Sequence, residues 1–137
     1  MQNIKRFDDK PYMIIGIIVV NIIVFVLMSI SGSTLDAQYM AAHGAMYPEY
    51  IKDGQYWRLF TSMFMHFGLM HILNNMVVLG AVGQIVEKAM GHVKLLITFL
   101  VSGMCGSVLS YIVMLYNNDF AVSAGASGAI FGLVGAL

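Results

Sequence analysis

Long apolar runs alternate along this chain with short polar breaks, and the runs are too long for the half-buried helices of a soluble domain. Residues 12–30 and 59–86 contain no Asp, Glu, Lys or Arg, and residues 93–116 contain only Lys94. A helix crossing a hydrocarbon core of about 30 Å needs about 20 mostly apolar residues. The pattern predicts spans over 12–30, 67–86 and 93–116, with 123–137 beginning a fourth. As a single helix, residues 59–86 would be about 42 Å long, so the span is placed near Phe67 and the residues before it form an approach along the interface. Trp57 and Arg58 suit such a boundary. The predicted fold is all-α, a polytopic helical membrane bundle with a structured outer connector over 31–66, too long for a simple helix-to-helix link.

Composition agrees. Of 137 residues, 59% are hydrophobic and 10% charged, and mean hydropathy is +0.80, values that exclude an ordinary soluble domain. A formal net charge of +0 with scattered Lys and Arg gives no surface for nucleic acid. The charged N-terminus superficially resembles a signal peptide, but the run after it is of span length and lacks a clear small-residue cleavage site, so it is read as a retained span. The lone Cys105 falls in the third apolar run and is expected to be a buried free thiol.

Orientation follows from positive charge in the short flanks. Lys5, Arg6, Lys10, Lys88 and Lys94 lie on one side and Lys52 and Arg58 on the other, five against two, so the N-terminus is expected in the cytoplasm and the connector outside.

Polar side chains inside a span are expensive and are candidates for function. His71 and Asn75 are four residues apart, about 40° around a helix, and share one face. His66 lies just before the span and is expected at a pocket mouth. Hydrogen bonding between helices would explain the same pair without chemistry. A metal site lacks the His-Glu-x-x-His pattern and a nearby carboxylate, and neither metal nor cofactor is expected.

Ser127 stands among small residues, with Gly125 and Gly128 beside it, where a hydroxyl is accessible to a substrate. The segment is not the Gly-x-Ser-x-Gly elbow of soluble hydrolases, and a serine among small residues also serves plain packing. The glycines and serines of the third run, three or four apart, read mainly as close-packing positions. With spans starting near Phe67 and Ser123, His71, Asn75 and Ser127 fall about 6 to 12 Å below the outer surface, in one layer.

Taken together, His66-x4-His71-x3-Asn75-Met76 followed by Gly125-x-Ser127-Gly128 resembles the rhomboid intramembrane serine proteases. Trp57-Arg58 before His66, Glu87 and Gly91 at the inner end of the second span, and the cytoplasmic N-terminus agree. The resemblance implies hydrolysis of a peptide bond in or near a transmembrane segment of a membrane-protein substrate, by a Ser/His dyad in the bilayer. It implies Ser127 as nucleophile, His71 and Asn75 as oxyanion donors, His66 as a site-lining residue, and Trp57, Arg58, Glu87, Gly125 and Gly128 as structural positions. The implied location is the plasma membrane of a bacterium, with the site opening outward.

The family's base is a histidine two spans after the serine, and this chain stops ten residues after Ser127. The chain is therefore expected to be an N-terminal portion, inactive alone and in need of a stabilising partner. Two rivals stand beside this reading. One is a rhomboid-like pseudoprotease that binds transmembrane helices without cleaving them. The other is a transporter or scaffold bundle, which would show midplane polar residues or a repeated half.

Overall fold

The computed structural model describes residues 10–137. Lys5 and Arg6, which enter the charge count above, lie outside the described residues. The elements are α1 (Tyr12–Ser31), α2 (Ala37–Ala42), α3 (Pro48–Lys52), α4 (Arg58–Thr61), a 3-10 turn at Ser62–Phe64, α5 (Gly68–Met90), α6 (His92–Asn117) and α7 (Ser127–Gly135). Three of them, α1, α5 and α6, are long and apolar enough to cross a membrane. Extended pairing among the described residues is limited to one isolated bridge, Met46 with Ser123. The chain is a helical integral membrane protein.

The core gathers α1, α5, α6 and α7 around Ile14, Ile17, Leu79, Val86, Leu95, Phe99, Ala129 and Leu133. Large apolar side chains on the outer flanks, such as Ile23, Val77 and Val101, remain exposed, as a bundle with lipid for solvent allows. Glycine permits the closest approach: a methyl group added to Gly106 of α6 would stand 3.1 Å from the Gly128 Cα of α7. Cys105 departs from expectation. It is a free thiol but an exposed one, on the outward flank of α6 near Val108 and Ile112, because the small residues Gly103 and Gly106 take the inward face.

Two polar devices hold the fold together, one in the bundle and one in the connector. A helix leaves its first amide N–H groups without partners. At the start of α1, Met13 N–H donates to Glu87 Oε1 at 2.8 Å and Ile14 N–H to Glu87 Oε2 at 2.9 Å. Glu87 is 2% exposed and also meets His92 Nδ1, so one buried carboxylate near the end of α5 caps α1 and binds the first turn of α6. The positive end of the α1 dipole favours that charge. Gly91, at φ +90°, turns the chain from α5 straight into α6, a conformation an L side chain rarely adopts.

The second device is Arg58, buried in the connector. Its Nε–H donates to Gln55 Oε1 at 2.7 Å, and Nη1 donates to the carbonyls of Ala41 and Ala45, the latter at 3.0 Å. The guanidinium lies over the rings of Tyr50 and Trp57, at 4.5 and 4.7 Å. Arginine supplies several donors in one plane, and that is what ties three separate connector segments together. Helix α2 begins at Asp36, whose carboxylate accepts from the Gln38 and Tyr39 amides, and α3 begins with Pro48 at its first position. The connector thus has a structure of its own.

Candidate active site

Ser127 opens α7, with Ala126 as the residue that caps it. The helix was expected to begin near Ser123. It begins four residues later because Ser123 pairs with Met46 through N–H to carbonyl bonds of 2.8 and 2.9 Å, and because Gly125 takes φ +128°. Residues 123–125 are therefore an extended approach to the helix.

Two further amides of this approach are held by the segment before α5. Gly125 N–H donates to the Ser62 carbonyl at 2.9 Å, and Ala126 N–H donates to His66 Nε2 at 3.4 Å. The next amide, that of Ser127 itself, has no acceptor among the described residues. A free amide at a helix start faces outward with the positive end of the dipole behind it, an arrangement suited to developing negative charge. The Ser127 side chain is exposed and its hydroxyl forms no hydrogen bond among the described residues. It borders a cleft of about 370 Å³ whose walls include Ser62, Ser123 and Gly125 on one side and Ser107 and Ser110 of α6 on the other.

His71 and Asn75 approach from α5. They are not walls of the α6 cleft, but they converge on Gly125. A methyl group placed there would lie 3.0 Å from His71 Nε2 and 3.6 Å from Asn75 Nδ2. His71 Nδ1 accepts the Phe67 N–H at 3.2 Å, a bond that caps the start of α5. In the neutral ring the proton must then sit on Nε2, which makes the atom facing Gly125 a donor. Asn75 Nδ2 is buried and has no hydrogen-bond partner among the described residues. A buried donor without a partner costs about 1 to 3 kcal/mol, and Asn75 Nδ2 is open to an acceptor.

His66 is not at a pocket mouth. It is 1% exposed, packed edge-on to His71 with ring centroids 5.1 Å apart. Burial, and secondarily the neighbouring His71, push its pKa down from 6.5 to about 4, so the ring is neutral near pH 7. No group of three His, Cys, Asp or Glu residues among the described ones converges closely enough to hold a metal ion.

A membrane bundle that sets a glycine-flanked serine at a helix start against a histidine and an asparagine from a neighbouring span places the chain in the rhomboid family, and the Rhomboid domain model matches residues 53–137. Known relatives agree. The chain is 37% identical over 130 residues to Rhomboid protease GluP of Bacillus subtilis, an alignment covering 95% of this chain and 25% of that protein. It is 40% identical over 111 residues to RHOMBOID-like protein 7 of Arabidopsis thaliana, covering 81% of this chain and 33% of the relative. With Rhomboid-like protease 2 of Toxoplasma gondii it shares 35% identity over 98 residues, 72% of this chain and 34% of that one. The chain thus spans a quarter to a third of the length of these relatives.

His66, His71, Asn75, Gly125, Ser127 and Gly128 are all legible in the sequence, whereas Ser62 and Met46 contribute backbone groups and leave no signal in residue type. A further polar residue is Asn21, fully buried within α1, where Nδ2 donates to the Ile17 carbonyl and Oδ1 has no partner among the described residues.

Proposed function

We propose that the chain carries the nucleophile and oxyanion donors of an intramembrane serine endopeptidase that cleaves transmembrane segments of membrane-protein substrates. The observation that carries the reading is the start of α7, where Ser127 is exposed with its own amide free, two residues beyond the glycine on which His71 Nε2 and Asn75 Nδ2 converge. Ser127 Oγ attacks the carbonyl carbon of the scissile bond, and its proton passes to a histidine base outside residues 1–137. The carbonyl oxygen takes up the negative charge and accepts hydrogen bonds from the Ser127 amide, His71 Nε2–H and Asn75 Nδ2–H. Collapse of this intermediate expels the amine, which leaves with the base's proton, and water then releases the acyl group from Ser127 by the same steps.

In this reading the 137 residues alone are inactive, because no described group stands ready to take the Ser127 proton. The exposed flank of α7 at Phe131 and Val134 is where a stabilising partner helix packs. The spans are α1, α5, α6 and the helix begun by α7, in the plasma membrane of a bacterium. The five-to-two bias of positive charge supports an N-terminus in the cytoplasm, with the connector and site outside. The test is cleavage of a transmembrane reporter by the full-length protein: Ser127→Ala should abolish it at unchanged expression. Undiminished cleavage by that variant removes Ser127 from the mechanism, and a wild-type protein that binds the reporter without cutting it points instead to a rhomboid-like pseudoprotease.

A further inference from the structure

Two acceptors four residues apart hold two consecutive amides just before Ser127. The Ser62 carbonyl takes Gly125 N–H at 2.9 Å and His66 Nε2 takes Ala126 N–H at 3.4 Å. Both acceptors lie on the segment that joins α4 to α5, and both residues are buried, Ser62 at 3% and His66 at 1%. A third tie, the Met46 to Ser123 bridge, fixes the same approach two residues earlier. The Ser123, Gly125 and Ala126 amides are bonded, whereas the Ser127 amide, like those of Ala124 and of the rest of the first turn of α7, has no acceptor among the described residues. Because the acceptor on His66 is Nε2, the proton of the neutral ring must lie on Nδ1, on the buried side of the ring. A histidine in this tautomer, with its lone pair spent on a backbone amide, is not free to take a proton from Ser127.

From this geometry we infer that His66 is a positioning residue, a neutral acceptor that holds the Ala126 amide and so sets the direction of the Ser127 hydroxyl and its free amide. The inference rests on the nucleophile role proposed for Ser127, and it assigns His66 neither base nor oxyanion duty. What the position requires is an acceptor at the reach of Nε2. Glutamine has one in Oε1, whereas leucine has none. The two substitutions therefore separate positioning from proton transfer, because glutamine cannot act as a base.

The test uses the full-length protein in bilayers and has two arms. In the first, His66→Leu should lower kcat for reporter cleavage by tenfold or more with KM little changed, and His66→Gln should recover most of the loss. Equal loss in both variants would mean that His66 acts through its proton, and wild-type turnover by His66→Leu would mean that it only fills space; either result overturns the inference. The second arm needs no activity. In the Ser127→Ala protein, nitrogen NMR of labelled histidine should show His66 protonated at Nδ1 and bare at Nε2, with the Ala126 amide protected from exchange, and His66→Leu should lose that protection at least tenfold. A ring protonated at Nε2, or an Ala126 amide equally protected in His66→Leu, refutes the positioning role whether or not the protein proves to be a protease.

Discussion

Gly125→Ala adds one methyl group at the point where the α5 side chains meet the approach to Ser127. Two costs follow. At φ +128° an L side chain is strained, which costs about 1 to 3 kcal/mol of stability. The new Cβ would also stand 2.9 Å from His71 Cε1 and 3.0 Å from Nε2, whereas ordinary contact begins at 3.4 Å, so the ring must retreat by 3.4 − 2.9 = 0.5 Å or more. His71 cannot retreat freely, since its Nδ1 is bonded to the Phe67 amide and its edge packs on His66. Misplacement by about 1 Å costs about 100-fold in rate, and loss of one oxyanion donor costs about 3 to 4 kcal/mol. The expected result for the full-length protein is a fall in kcat of about 100-fold with KM changed little, the signature of an interaction made mainly in the transition state. Steady-state cleavage of a transmembrane reporter in proteoliposomes measures both constants. A Gly125→Ala protein with wild-type kcat would refute the placement of His71 against the reacting carbonyl, and one that lost affinity alone would move the pair to substrate binding.

Three other outcomes follow from the same geometry. Glu87→Ala orphans two α1 amides and the His92 ring, and should cost about 3 to 5 kcal/mol in reversible unfolding, with Glu87→Gln retaining part of it; a loss below about 1 kcal/mol would contradict the capping role. Because the folded-state pKa of His66 is lowered from 6.5 to about 4, its contribution to stability is fully present above pH 6.5 and is lost as pH falls toward 4. It totals about 3 kcal/mol, so the wild type should lose that much more than His66→Gln between pH 7 and pH 4, and parallel curves would refute it. With Cys105 replaced by alanine, a cysteine at Ser33 should react with an impermeant thiol reagent in intact cells and one at Gln2 should not; the reverse pattern inverts the orientation.

The spans were legible because the bilayer imposes length and apolarity on contiguous residues, as the uncharged run of α1 shows. His71 and Asn75 could be paired because a four-residue spacing is local. What sequence did not disclose depends on contacts between distant segments. The start of α7 moved from Ser123 to Ser127 through a bridge to Met46 and a glycine with positive φ, neither visible in a hydropathy profile. Glu87 is recognisable as a motif residue, but two of its three partners are backbone amides 73 and 74 residues away. The position of His66 just before the span suggests a pocket mouth, whereas the approach to α7 folds over it and buries it. Cys105 was expected inside because it lies mid-helix, yet Gly103 and Gly106 determine which face of α6 turns inward.

Covalent capture decides whether Ser127 is the nucleophile. The full-length protein in bilayers is treated with a fluorophosphonate, digested, and mapped by mass spectrometry. The phosphonyl group should be found on Ser127, its formation slowed by His71→Ala and Asn75→Ala and absent from Ser127→Ala. Labelling of another residue, or undiminished labelling of the Ser127→Ala protein, would mean that Ser127 is not the nucleophile.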